Sequence, residues 1–175
     1  MKAAPQEALA PHFFQVAYVV RDLAEAEARF QQWLGVPSWF RMENIEFGAN
    51  CSYRGRPSDS AAHLSVGWLR DTQVELIEPL RGESLYREFI ETKGPGLHHI
   101  AFDVPDFAAT IAALSEAGLE LLADGRVGPG SEFAYFDCEA AGASVIEILG
   151  FDEAVRSFMD GLRQQSAERI EEQGA

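Results

Sequence analysis

Positive charge is scarce in this chain. Lys and Arg total 14 against 28 Asp and Glu, a formal net charge of −14 over 175 residues. Nucleic acids and anionic bilayers are held by basic surfaces, so neither is an expected partner, whereas an anionic small substrate in a local basic pocket stays open. Cysteine is equally sparse. Cys51 and Cys138 show no metal-ligand spacing and no redox pair, which points to a reduced, cytoplasmic protein. Long apolar runs are missing too. None approaches the roughly 18 to 20 residues that span a bilayer, and the opening MKAAPQEALAPHFF lacks the apolar core of a secretion signal. The expectation is a soluble cytoplasmic protein.

What is present is a chain of ordinary apolar content, 47%, whose period changes along its length. FFQVAYVV (13–20) reads as a buried strand. RDLAEAEARFQQWLG (21–35) reads as a helix with Leu23, Ala26, Phe30, Trp33 and Leu34 on one stripe, Asp22 as its cap and Gly35 as its stop. VPSWFRM is a second strand candidate. Residues 43–62 are polar and turn-rich and read mostly as loop, long enough to serve as a lid. HLSVGWL and TQVELIEPL form a hairpin that Pro79 is expected to end. A short helix, SLYREFIETKGPG, follows. Then HHIAFDV, the helix PDFAATIAALSEAG, and three strand candidates, LELLAD, EFAYFDC and ASVIEILG, lead into an amphipathic helix with Val155, Phe158, Met159 and Leu162 on its apolar stripe.

The second run repeats the first. QVAYVVRDL aligns without a gap on HIAFDVPDF, a shift of 84 (99 − 15), and VELIE aligns on VIEIL, a shift of 72 (147 − 75). The first half therefore carries 12 extra residues (84 − 72), most easily placed in 43–62. Each half reads strand–helix–strand–strand–strand, and two such halves facing each other bury both apolar sheet faces. The expected organisation is an N-terminal tail (1–12), a first βαβββ module (13–80), a linker with a short helix (81–97), a second βαβββ module (98–150), and a C-terminal helix and tail (151–175).

The repeat pairs Gln15 with His99 and Glu75 with Glu147, all four inside apolar strands. A single Glu in a strand such as VELIE usually faces solvent, and Glu78, read as sharing the face of Glu75, competes with it; the register of the repeat favours Glu75. Two carboxylates at equivalent positions beside an imidazole are different. Buried carboxylates are costly unless paired or metal-bound, and a divalent cation neutralises both. His98, next to His99, reads as a structural or supporting residue on the other face, and His12 and His63 as surface or packing residues.

VAYVVRDL, VELIEPL, GPGLHHIAFDV and IEIL together resemble the vicinal oxygen chelate superfamily, which includes glyoxalase I, methylmalonyl-CoA epimerase, extradiol dioxygenases and bleomycin-resistance proteins. The resemblance covers residues 13 to 150 and implies an α+β fold: two paired βαβββ modules whose mixed sheet curls around a metal, followed by a C-terminal helix. It implies Gln15, Glu75, His99 and Glu147 as ligands of one divalent ion, Zn, Co, Ni or Mn. The Gln–Glu–His–Glu set is similar to animal-type glyoxalase I, while VELIEPL and GPGLHHIAFDV look closer to the epimerases. Both branches imply an isomerase or lyase that abstracts a proton next to a carbonyl through a metal-stabilised enediolate. Glu147 is then the expected base, and Glu46 in ENIEFG the expected second carboxylate of an epimerase. The implied substrates are an acyl-CoA or an α-ketoaldehyde adduct, and the implied assembly is a homodimer. Read from the residues themselves, Arg54 and Arg56 are candidate anion contacts, although exposed loop arginines usually are not, and Trp39, Phe40, Trp68, Phe133 and Tyr135 are candidate pocket aromatics, although most aromatics of this kind pack in the core. The alternatives are a non-catalytic small-molecule binder of the bleomycin-resistance type and an extradiol dioxygenase. The second fits less well, because Gln15 removes a His that its iron site needs.

Overall fold

In the computed structural model, residues 9–141 and 145–174 are described. Most of the N-terminal tail and residues 143–144, at the start of the last strand candidate, lie outside that set. A 3-10 turn, Ala10–His12, leads into β1 (Phe13–Val19), α1 (Leu23–Leu34), β2 (Phe40–Glu46), β3 (Cys51–Tyr53), β4 (Arg56–Pro57), β5 (Ala61–Leu69) and β6 (Thr72–Arg81). The linker holds α2 (Leu85–Thr92). The second half runs β7 (Gly96–Asp103), α3 (Phe107–Glu116), β8 (Leu121–Arg126), β9 (Ser131–Asp137) and β10 (Val145–Phe151), and α4 (Glu153–Gly174) ends the chain. No helix among the described residues is long and apolar enough to cross a membrane.

Local chemistry explains the helix limits. Asp22 accepts a hydrogen bond from the Glu25 amide and caps α1; Asp106 does the same for α3 through Ala109. Gly35 closes α1 with φ +74°, a left-handed conformation that costs a glycine little. The Glu78 carboxylate also accepts from the Leu23 amide at 2.8 Å. It therefore serves the first turn of α1 from the outer face of β6, because three positions along a strand reverse the side-chain direction relative to Glu75.

The strands form one mixed ten-stranded sheet in the order β2-β5-β6-β1-β7-β10-β9-β8-β3-β4. Within each half the first strand pairs in parallel with the last, β1 with β6 and β7 with β10. The halves join where β1 runs antiparallel to β7. The outer faces are covered by helices: α1 packs Leu23 against Val74 and Leu76, and α3 packs Leu114 against Phe136, Ile146 and Ile148. The opposite residues line the inner face: Ala17 and Val19, Ile77, Ala101, Leu149 and Tyr135 belong to a separate core cluster that also takes in Tyr86 and Ile90 of α2.

Two expectations are corrected. Residues 43–62 are not mainly loop. They complete β2 and supply β3 and β4, and β3 pairs with β8 of the second half. Because β2 and β3 lie near opposite ends of the sheet order yet only four residues separate them, the chain's reach of at most about 18 Å forces the sheet to curl into a half-barrel. Pro79 does not end its strand either. β6 continues to Arg81, with Pro79 opposite Ala62. Pairing with β1 stops at Ile77, so the side on which proline lacks an amide proton has no ladder to break.

Candidate metal centre

Strand alternation places Gln15, Glu75, His99 and Glu147 on the inner face of the curl. Their registers form two rows. In one, Gln73, Gln15, Ala101 and Glu147 lie side by side across β6, β1, β7 and β10; in the other, Glu75, Ala17, His99 and Val145 do. The rows exchange under the internal repeat, so the site sits on a local pseudo-twofold axis. Its floor is Ala17 and Ala101, both without exposed surface, whose short side chains leave space between the larger ones.

The donors converge. One ligand atom each from Glu75, His99 and Glu147 falls within 4.8 Å of the others. His99 Nε2 stands 3.0 Å from Glu147 Oε2 and 3.6 Å from Glu75 Oε2. Despite that nearness His99 Nε2 is buried without a hydrogen bond, and Gln15 Oε1 is likewise buried and unpartnered. Burial raises the Glu75 pKa well above the usual carboxylate range, and the neighbouring Glu147 charge raises it further. An unpartnered buried imidazole nitrogen and amide oxygen beside two mutually repelling carboxylates are the donor chemistry that suits one divalent cation.

His98 differs from its expected place. Between Tyr18 and Ala17 of β1 the opposing register skips from Leu97 to His99, so His98 is the extra residue of a β-bulge. A bulge sets two successive residues against one partner and lets both rings come together. His98 Nδ1 lies 2.8 Å from His99 Nδ1, and its ring meets Tyr86 and Phe89 edge-on at 5.4 and 5.0 Å. This contact occupies His99 Nδ1 and leaves Nε2 toward the carboxylates.

Glu46 is not brought to this cluster. Its neighbours Ile45 and Phe47 pack in the inner core, so Glu46 points away; its side chain is 61% exposed and pairs with Arg81 at 2.8 Å. Arg54 is held by Glu88. Trp39 and Phe40 belong elsewhere, Trp39 against Phe30 of α1 and Phe40 against Phe158 of α4. Phe133 and Tyr135 do line a cleft on the inner face with Phe47, Tyr86, Cys51 and Ser60. The hydroxyls of Tyr86 and Tyr135 share a 2.7 Å hydrogen bond, and the Tyr135 ring lies 5.1 Å from that of His99. Burial raises the pKa of both hydroxyls, as does the Glu147 charge, so they stay protonated donors at neutral pH. Sequence reasoning missed Tyr86, Gln73 and the alanine floor. Only the alternation around Glu75 and the repeat partner of Ala17 carried a signal for them.

A curled sheet of paired modules around such donors defines a family, and the chain belongs to it: residues 14–136 match the glyoxalase/bleomycin resistance protein/dioxygenase superfamily. The chain is 35% identical over 116 residues to an ethylmalonyl-CoA/methylmalonyl-CoA epimerase of Cereibacter sphaeroides, covering 63% of this chain and 74% of the relative. Among solved structures, methylmalonyl-CoA epimerase of Mycobacterium tuberculosis superposes with a TM-score of 0.61 at 20% identity, over 90% of this chain and 96% of that one. A Streptomyces coelicolor methylmalonyl-CoA epimerase variant in complex with 2-nitronate-propionyl-CoA gives 0.64 at 19% identity, over 81% and 95%. These two likenesses establish the fold.

Proposed function

We propose that this protein is a divalent-metal-dependent acyl-CoA epimerase that inverts a carbon next to a thioester carbonyl. The convergence of Glu75, His99 and Glu147 carries the reading, and the epimerase relative from Cereibacter sphaeroides supports the substrate class. Gln15, Glu75, His99 and Glu147 would hold the ion. When bound, it supplies positive charge that makes a neighbouring carbonyl compound a stronger carbon acid.

The chain's own groups do the proton work. Glu147, desolvated on the floor of the curl, takes the proton from one face of the carbon. Inversion needs a second group on the other face. The sequence suggested Glu46, but its outward direction leaves Glu75, the repeat partner of Glu147, as the group that returns a proton. Each carboxylate has two oxygens, so ligation and proton transfer are compatible. The Tyr86–Tyr135 hydroxyl pair lies beside Glu147, and the aromatic cleft around it excludes water from the carbanion-like state.

The test is deuterium incorporation into methylmalonyl-CoA and ethylmalonyl-CoA in heavy water, alongside metal content. Wild type should carry about one ion per chain and exchange the α-proton of both enantiomers. Glu147→Gln should lower inversion at least about 100-fold, and Glu75→Gln should still exchange one enantiomer without inverting it. Metal-loaded protein that exchanges neither substrate sinks the epimerase reading. The Gln–Glu–His–Glu set favours a second reading, a glyoxalase-type lyase, and turnover of α-ketoaldehyde thiol adducts would select it.

A further inference from the structure

Under the internal repeat the two rows keep the same kind of group (a neutral donor, an alanine, a carboxylate) at every position but one. Gln15 corresponds to His99, Ala17 to Ala101 and Glu75 to Glu147, whereas Gln73 corresponds to Val145. The polar member of that odd pair is almost fully buried, 2% exposed. Its amide oxygen accepts a 2.6 Å hydrogen bond from Gln15 Nε2, and its own Nε2 points to Met159 Sδ of α4 at 3.7 Å.

The asymmetry has a chemical reason. His99 has its unwanted nitrogen engaged by His98, so Nε2 is presented. Gln15 has the analogous problem in sharper form, since a carboxamide offers an oxygen at one end and a hydrogen donor at the other, and only the oxygen can bind a cation. Left alone among two carboxylates, the amide would turn its NH2 toward them. Gln73 holds that NH2 to the side and leaves Gln15 Oε1 buried and unpartnered. Met159 in turn fixes which end of Gln73 faces Gln15.

We propose that Gln73 is a positioning residue for metal binding: it locks the Gln15 carboxamide with its oxygen toward the Glu75–His99–Glu147 cluster, and α4 holds that lock through Met159. This rests on the reading of the four residues as a metal site, and it adds a fifth residue that touches no ion.

The experiment measures zinc and cobalt(II) affinity by competition with a chromophoric chelator, together with the visible spectrum of the cobalt(II) protein. The proteins are wild type, Gln73→Leu, Gln15→Ala and the double variant, each checked for an unchanged thermal midpoint in chelator. Gln73→Met, which keeps length and flexibility, replaces Gln73→Leu if the latter does not fold. Gln73→Leu should weaken binding about tenfold or more and give the cobalt spectrum of Gln15→Ala. In the Gln15→Ala background the same change should cost nothing further, because Gln73 acts only through Gln15. A Gln73→Leu protein with wild-type affinity and spectrum overturns the proposal, and so does an equal loss in both backgrounds, which marks a general packing effect. Wild type that binds neither metal overturns the metal reading itself, and that outcome is distinct from both.

Discussion

Glu75 and Glu147 face each other on the floor of the curl with His99 Nε2 between them, and that proximity has a thermodynamic sign. The Glu75 pKa is raised in the folded protein by burial and by Glu147. The metal-free folded state therefore binds a proton that the unfolded chain releases near its ordinary pKa of 4.5. Stability contributed at this position falls as pH rises from that value through the raised one. Glu75→Gln, measured in chelator by urea unfolding, should be more stable than wild type at pH 8, because the amide carries no charge to desolvate and none to oppose Glu147. The difference should close as pH drops toward 4.5. On the proposed metal reading, saturating metal should reverse the order, because an ion bound by the deprotonated carboxylate would stabilise the folded state. Ala101 is a second residue-scale lever. Ala101→Leu fills the floor between Gln15 and Glu147. It should cost about 1–3 kcal/mol by overpacking and abolish metal uptake as read by elemental analysis.

At the scale of elements, β5 and its neighbours show how closely the outer layer is fitted. A Cβ on Gly67 would stand 2.6 Å from Val36 Cγ1 and 2.8 Å from the Ser38 carbonyl oxygen. Gly67→Ala should therefore push the segment between α1 and β2 off the sheet at a cost of about 1–3 kcal/mol, measured as a lowered denaturation midpoint. Most elements were legible beforehand, for reasons that differ. β1 and α1 announce themselves through a change of period and through Asp22 and Gly35, which act locally. The equivalence of Glu75 with Glu147 was legible because the repeat carries register. What escaped depends on long-range partners. β3 is three residues long, and its identity as a strand comes from β8, about seventy positions away. Pro79 is tolerated because of where β1 stops, which no local pattern encodes. Glu46 lies outside the donor cluster because register decides its face, and the bulge between Met42 and Ile45 shifts that register. His98 moved inward for the same kind of reason.

Across the whole molecule, the insertion in the first half is the piece that closes the curl. It crosses to the far edge, pairs with β8 and lends Cys51 and Tyr53 to the cleft beside the site. Replacing residues 48–59 with a short glycine-containing turn should leave metal affinity unchanged, since none of the four proposed ligands lies there. It should remove most turnover and expose the β8 edge to self-association, visible in light scattering. The pseudo-twofold arrangement has one more outcome. Gln15 and Glu75 come from one half of the chain, and His99 and Glu147 from the other. A chain nicked between Lys93 and Gly94 would become two fragments, each holding two of the four proposed ligands. Mass action then makes the ion a ligand of the reassembled pair alone. At 1,000 times its dissociation constant it should tighten fragment association by about 4 kcal/mol, so the split protein would reassemble on metal addition and come apart in chelator.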